Sequence, residues 1–122
     1  MATARELGPA GWRSYRGPTS TPRAQLTPAE RDQLLNRIRL AAERLKQLGA
    51  RRVVLFGSLA RGDWTAPLSD VDLAVADLPA GAYWEGWRLA EEAVGDVSVD
   101  LIALERASEP LRRAVERDGV EL

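Results

Sequence analysis

A chain of 122 residues, 45% hydrophobic and 29% charged, can bury one globular core but not two. Seventeen basic against eighteen acidic residues leave a net charge of −1, without the basic excess of a non-specific nucleic-acid binder. With no Cys and no His there are no disulfides, Cys/His zinc sites, thiol nucleophiles or imidazole acid–base catalysis; any metal must be held by oxygen, which favours hard cations such as Mg²⁺ or Mn²⁺.

Residues 1–26 read as a basic, flexible tail. Gly8, Pro9, Gly11, Gly17, Pro18 and Pro22 break any periodicity, and Arg5, Arg13, Arg16 and Arg23 outweigh Glu6. Met1 to Trp12 lack the apolar stretch of a secretory signal, and no apolar run approaches the roughly 18–20 residues of a membrane span. The expectation is a soluble, cytoplasmic protein with its domain at 27–122.

That domain opens with a helix. Thr27 is an N-cap, Pro28 suits the first helical position, and Glu30 completes a capping box. Leu34, Ile38, Ala41, Leu45 and Leu48 recur on one face, read as core packing, and Gly49 stops the helix. Arg51 to Phe56 reads as a strand broken by Gly57, with Ser58 to Arg61 as a helical turn and Trp64 to Ser69 as a loop. Val71 to Ala76 is a second strand, whose period of two puts Asp70, Asp72 and Ala74 on one face. Tyr83 to Val94 is a helix, with Trp84 and Trp87 read as packing residues, and Gly95 closes it. Val97 to Leu104 is a third strand, with Asp100 at its middle, and Pro110 to Arg117 a last helix ended by Gly119. The order predicts an α/β (α+β) domain: a small mixed sheet with helices packed on one face.

Three short segments carry chemistry. Asp70 and Asp72 point to the same side of a strand, where two charged carboxylates repel unless a cation lies between them. Taken alone, such a pair is more often an acidic turn feeding a strand. Gly57-Ser58 follows a strand; glycine lets backbone N–H groups approach a phosphate, and the hydroxyl adds a donor, although the dipeptide alone is an ordinary turn. Asp100 lies between Val99 and Leu101 and needs a partner, either an arginine or a shared metal. Should its strand neighbour that of Asp72, three carboxylates converge in a pattern suited to two metal ions. Arg61 suits either a phosphate or an ion pair with Asp63.

The run Leu55-Phe56-Gly57-Ser58-Leu59-Ala60-Arg61-Gly62-Asp63, followed by Ser69-Asp70-Val71-Asp72-Leu73, resembles the signature of the DNA polymerase beta-like nucleotidyltransferase superfamily, in its minimal nucleotidyltransferase branch. The resemblance implies transfer of a nucleoside monophosphate, AMP from ATP, to an acceptor hydroxyl with loss of pyrophosphate. Gly57, Ser58, Arg61 and Ser69 would then bind the nucleotide. Asp70 and Asp72 would ligate two Mg²⁺ ions (or Mn²⁺), and Asp100 would be the third carboxylate that helps to activate the acceptor. It also implies a HEPN-domain partner, with this chain as antitoxin and adenylylating enzyme of a toxin–antitoxin pair. Two other expectations stand beside it: a non-enzymatic module that docks on its partner, and a transferase for a small molecule such as an aminoglycoside. Nucleic acid and membrane are not expected partners, and homo-oligomerisation is left open.

Overall fold

The computed structural model describes residues 24–66 and 70–122. In chain order the elements are β1 (Ala24–Gln25), α1 (Pro28–Gln47), β2 (Arg52–Phe56), β3 (Thr65–Ala66), β4 (Val71–Ala76), α2 (Tyr83–Val94), β5 (Val99–Ala103), α3 (Glu109–Asp118) and β6 (Val120–Glu121). Helix α1 starts as its sequence demands. The Glu30 N–H donates to the Thr27 hydroxyl at 3.1 Å, and the Thr27 N–H donates to Glu30 Oε1 at 2.9 Å. Together these satisfy two of the four N–H groups that a helix start leaves open.

The principal sheet has the order β5-β4-β2-β6. Strand β4 runs antiparallel to β2 and parallel to β5, and β6 runs antiparallel to β2. Parallel neighbours need a crossover, and α2 provides it between β4 and β5. A separate two-stranded ribbon joins β1 to β3. It ties residues 24–26 to the domain, with the Leu26 N–H donating to the Trp64 carbonyl at 2.9 Å. Backbone pairing thus joins residues 24–26 to the elements that follow. The rest of the expected tail, residues 1–23, lies outside the described residues.

One sheet face carries Val53, Leu55, Val71, Leu73, Val75, Val99 and Leu101, packed on Leu34, Ile38, Ala41 and Leu45 of α1 and on Ala90 and Val94 of α2. The opposite face carries Val54, Phe56 and Ala74, packed on Val115 of α3 and on Leu104. The mixed sheet and the fold class are as expected, and α1 and α2 share one face. Helix α3 is the exception and crosses to the other. The reason lies in β2, where Val53 to Phe56 are all buried: a strand apolar on both sides must be covered on both sides. Among the described residues no helix is long and apolar enough to cross a membrane.

Ile38, wholly buried between α1 and the sheet, is the sharpest probe of this packing. Ile38→Ala should lower the unfolding free energy by about 2–5 kcal/mol in urea denaturation, with the same element content by far-UV circular dichroism.

Candidate active site

The site is a row of residues across the face that α3 covers only in part. In register, Phe56 of β2 lies opposite Asp72 of β4, and Asp72 lies opposite Asp100 of β5. The adjacent row, Val54, Ala74 and Ile102, belongs to the cluster beneath α3. Asp72 and Asp100 are half-buried, whereas Asp70, just ahead of β4, is exposed. The parallel pairing of β4 with β5, joined by the α2 crossover, thus sets two carboxylates side by side from positions 28 residues apart in sequence.

Gly57 fixes the third side. Its φ is +81°, and a Cβ built on it would lie 2.1 Å from Asp72 Oδ2. Only glycine satisfies both constraints, and its absent side chain is the space that the Asp72 carboxylate fills. After it comes a tight turn in which the Arg61 N–H donates to the carbonyls of Gly57 and Ser58 (3.2 and 3.1 Å), and the Asp63 N–H donates to the Ser58 carbonyl at 2.9 Å. Leu59 anchors that turn in the core, so the loop is held from below while Ser58 stays partly accessible. The expected turn at Ser58 to Arg61 is present as a hydrogen-bonded turn and does not extend into a helix.

The charges at the site oppose one another. The Asp72 carboxyl is pushed from 3.8 up to about 6, first by its burial, then by the negative charges of Asp100 and Asp70, with Arg61 opposing. Two oxygen-only donors in register, one of them destabilised by its like-charged neighbours, fit a hard divalent cation. Asp72 and Asp100 would hold it, with Asp70 at the exposed margin. Among the described residues no three acid side chains close into a ligating cluster. Ser69 falls outside the described residues. Arg61 acts electrostatically on both Asp72 and Asp118, the second a neighbour that sequence alone gave no reason to name.

Other residues at the site were legible only as packing or as a helix start. Tyr83 of α2 lies near enough to Asp100 for that charge, after burial, to raise its phenol above the usual range, with Arg106 opposing. Beside it runs a groove of about 710 Å³ lined in part by Tyr83, Trp84, Ile102, Arg106 and Leu111. Ile102 is two residues beyond Asp100 on the same face, so the groove adjoins the acid row. Trp84 is 73% exposed and stacks on Trp87. An exposed aromatic at the rim of a groove was the available signal, and helical spacing alone does not separate it from core.

The chain's residues 35–118 match the family model of the nucleotidyltransferase domain. The chain belongs to that family and is a nucleotidyltransferase. Within it, the branch is that of the minimal nucleotidyltransferases. A solved protein described as a minimal nucleotidyltransferase is 30% identical over 75% of this chain and 94% of its own, with a TM-score of 0.64. A chain of a toxin–antitoxin complex with AMP-PNP is 30% identical over 70% of this chain and 69% of its own, with a TM-score of 0.56. A chain of a mutant toxin–antitoxin complex, MntA-HpeT, is 28% identical over the same shares, also with a TM-score of 0.56. No curated protein gives a significant sequence match.

The raised Asp72 carboxyl makes a signed prediction for the metal-free protein. The folded state holds its proton more tightly than the unfolded chain does, so this group's penalty on folding is full above about pH 6 and absent below about pH 4. Asp72→Asn, measured in EDTA, should therefore raise stability at pH 7 by about 1–2 kcal/mol, a figure discounted for solvent screening. The gain should vanish toward pH 4. Gly57→Ala should act in the opposite direction at pH 7, since its methyl group displaces the carboxylate.

Proposed function

We propose that this nucleotidyltransferase moves AMP from ATP to a hydroxyl on a partner protein, a HEPN-domain toxin, and acts as its antitoxin in the cytoplasm. The observation that carries this is the row joining Gly57, Asp72 and Asp100, with a phosphate-type loop at one end and an open groove at the other. The likeness to a chain crystallised with AMP-PNP in a toxin–antitoxin complex supports both the nucleotide and the kind of partner.

The roles follow from position. The N–H groups and hydroxyl of the Gly57–Ser58 turn hold the triphosphate, with Arg61 contributing positive charge, and the family resemblance adds Ser69 as a donor. Asp70, Asp72 and Asp100 would hold Mg²⁺. Bound there, the divalent metal would neutralise charge on the phosphates and lower the cost of deprotonating the acceptor. In the transfer, the acceptor oxygen bonds to the α-phosphorus. The bond from that phosphorus to the bridging oxygen breaks, pyrophosphate carries away the electron pair, and Asp100 receives the acceptor's proton. The chain supplies mainly positioning and charge complementarity, as phosphoryl chemistry of this kind requires. The groove beside Asp100 then seats the acceptor.

Incubation with α-labelled ATP and Mg²⁺, with a co-purified partner or cell extract as acceptor, should label a protein band. Asp100→Ala, or Asp70→Asn with Asp72→Asn, should lower that labelling by about 10²–10³-fold. Label on small molecules alone would overturn the protein acceptor. Neutralisation of the toxin by Asp100→Ala as effectively as by wild type would leave a docking protein whose chemistry is dispensable.

The groove makes a separate demand. Trp84→Ala should reduce kcat/KM for the protein acceptor by about tenfold or more, the cost of an exposed aromatic anchor. The affinity for ATP in equilibrium titration should change by no more than about twofold, because the nucleotide loop lies across the acid row from Trp84.

A further inference from the structure

Asp100 sits on an edge strand of its sheet. Strand β5 is at one end of the order and pairs with β4 alone. The Val71 N–H donates to the Ser98 carbonyl at 2.8 Å, so that carbonyl faces β4. By strand alternation the carbonyls of Val99 and Leu101 face outward. Edge groups of this kind are ordinarily left to water, and edge strands fray or pair with other chains. Here α2 supplies their partners. Trp87 Nε1–H donates to the Val99 carbonyl at 2.8 Å, and the Tyr83 hydroxyl donates to the Leu101 carbonyl. These are the two residues that flank Asp100.

The donors are mutually braced. Tyr83 and Trp87 are four residues apart on one helix face, with their rings edge-to-face at 5.8 Å and 83°. Trp84 stacks on Trp87 at 5.6 Å and 4°.

We propose that Tyr83 and Trp87 form a clamp on the outer edge of β5 that holds Asp100 opposite Asp72, making them positioning residues for the third carboxylate. The inference rests on the reading of Asp72 and Asp100 as joint ligands of the transfer site. Two acids on different strands share a cation only while the strands keep register, and ligation tolerates errors of only tenths of an ångström. Strand β4 is central and is pinned by β2 and β5. Strand β5 has a ladder on one side and, on the other, this pair of side-chain bonds. The nucleotide loop lies beyond Asp72, so loosening β5 disturbs metal binding and acceptor activation and leaves nucleotide binding in place.

Tyr83→Phe, Trp87→Phe and the double variant test this by three readouts in the full chain. Backbone amides of residues 99–103 should exchange hydrogen about tenfold faster in EDTA in the double variant, while the melting temperature shifts little. Mn²⁺ affinity, followed by electron paramagnetic resonance with a non-hydrolysable ATP analogue, should weaken by about tenfold. The Mg²⁺ concentration for half-maximal transfer should rise in parallel, while KM for ATP stays within about twofold. In an Asp100→Ala background the clamp substitutions should add nothing to the loss of Mn²⁺ affinity.

Unchanged exchange in β5 overturns the clamp. Faster exchange with wild-type Mn²⁺ affinity overturns its positioning role and leaves edge protection alone. A wild type that binds Mn²⁺ without transferring AMP defeats the transfer reading, and the Mn²⁺ arm still decides the clamp. A wild type that binds no Mn²⁺ overturns both, and is recognised because the failure lies in the wild type and not in the variants.

Discussion

The close approach of the Gly57 backbone to the Asp72 carboxylate is the constraint on which the site depends. A strand end with positive φ and no side chain leaves room for one acid oxygen at the centre of the sheet. That acid is half-buried and faces a second across the β4–β5 ladder. Neither feature serves stability: burial and like charge both raise the Asp72 carboxyl. The cation of the proposed transfer site would offset that cost.

The remaining architecture supports that strained centre. The apolar face of β2, β4 and β5, with α1 and α2 packed on it, fixes the strands from below. Val115 of α3, together with Leu104 just after β5, closes the far half of the opposite face, and the near half is left for the acids. The turn after Gly57 is anchored through Leu59, so the loop cannot drift from Asp72. Sequestering apolar side chains in two clusters thus buys an open, charged strip between them.

Much of this was legible in the residues. The capping box at Thr27 and Glu30, the stripe of Leu34, Ile38, Ala41 and Leu45, and the glycine stop at Gly95 follow from local rules and appear in place. The alternation that set Asp72 apart from Val71 and Leu73 also held. Less was legible where partners are distant. Two-residue strands such as β1, β3 and β6 have too little pattern to announce themselves and exist because another strand meets them. Ser108, which caps α3 by accepting from the Leu111 N–H at 3.4 Å, was passed over in favour of Pro110. Trp87 reads as packing, and Tyr83 only as a helix start, because helical spacing reports a face and not which atoms on that face donate hydrogen bonds.

By itself the sequence determined the local chemistry: side chains with no Cys or His among them, a glycine that breaks a strand before a serine, acids at i and i+2, and helices bounded by their caps. These depend on residues within a few positions of one another. Only the tertiary structure decided which strands are neighbours, and hence that Asp100 stands opposite Asp72, that α3 crosses to the second face, and that an aromatic pair holds the outer edge of β5. Register and strand order arise from contacts between residues far apart in the chain, and local spacing carries no record of them.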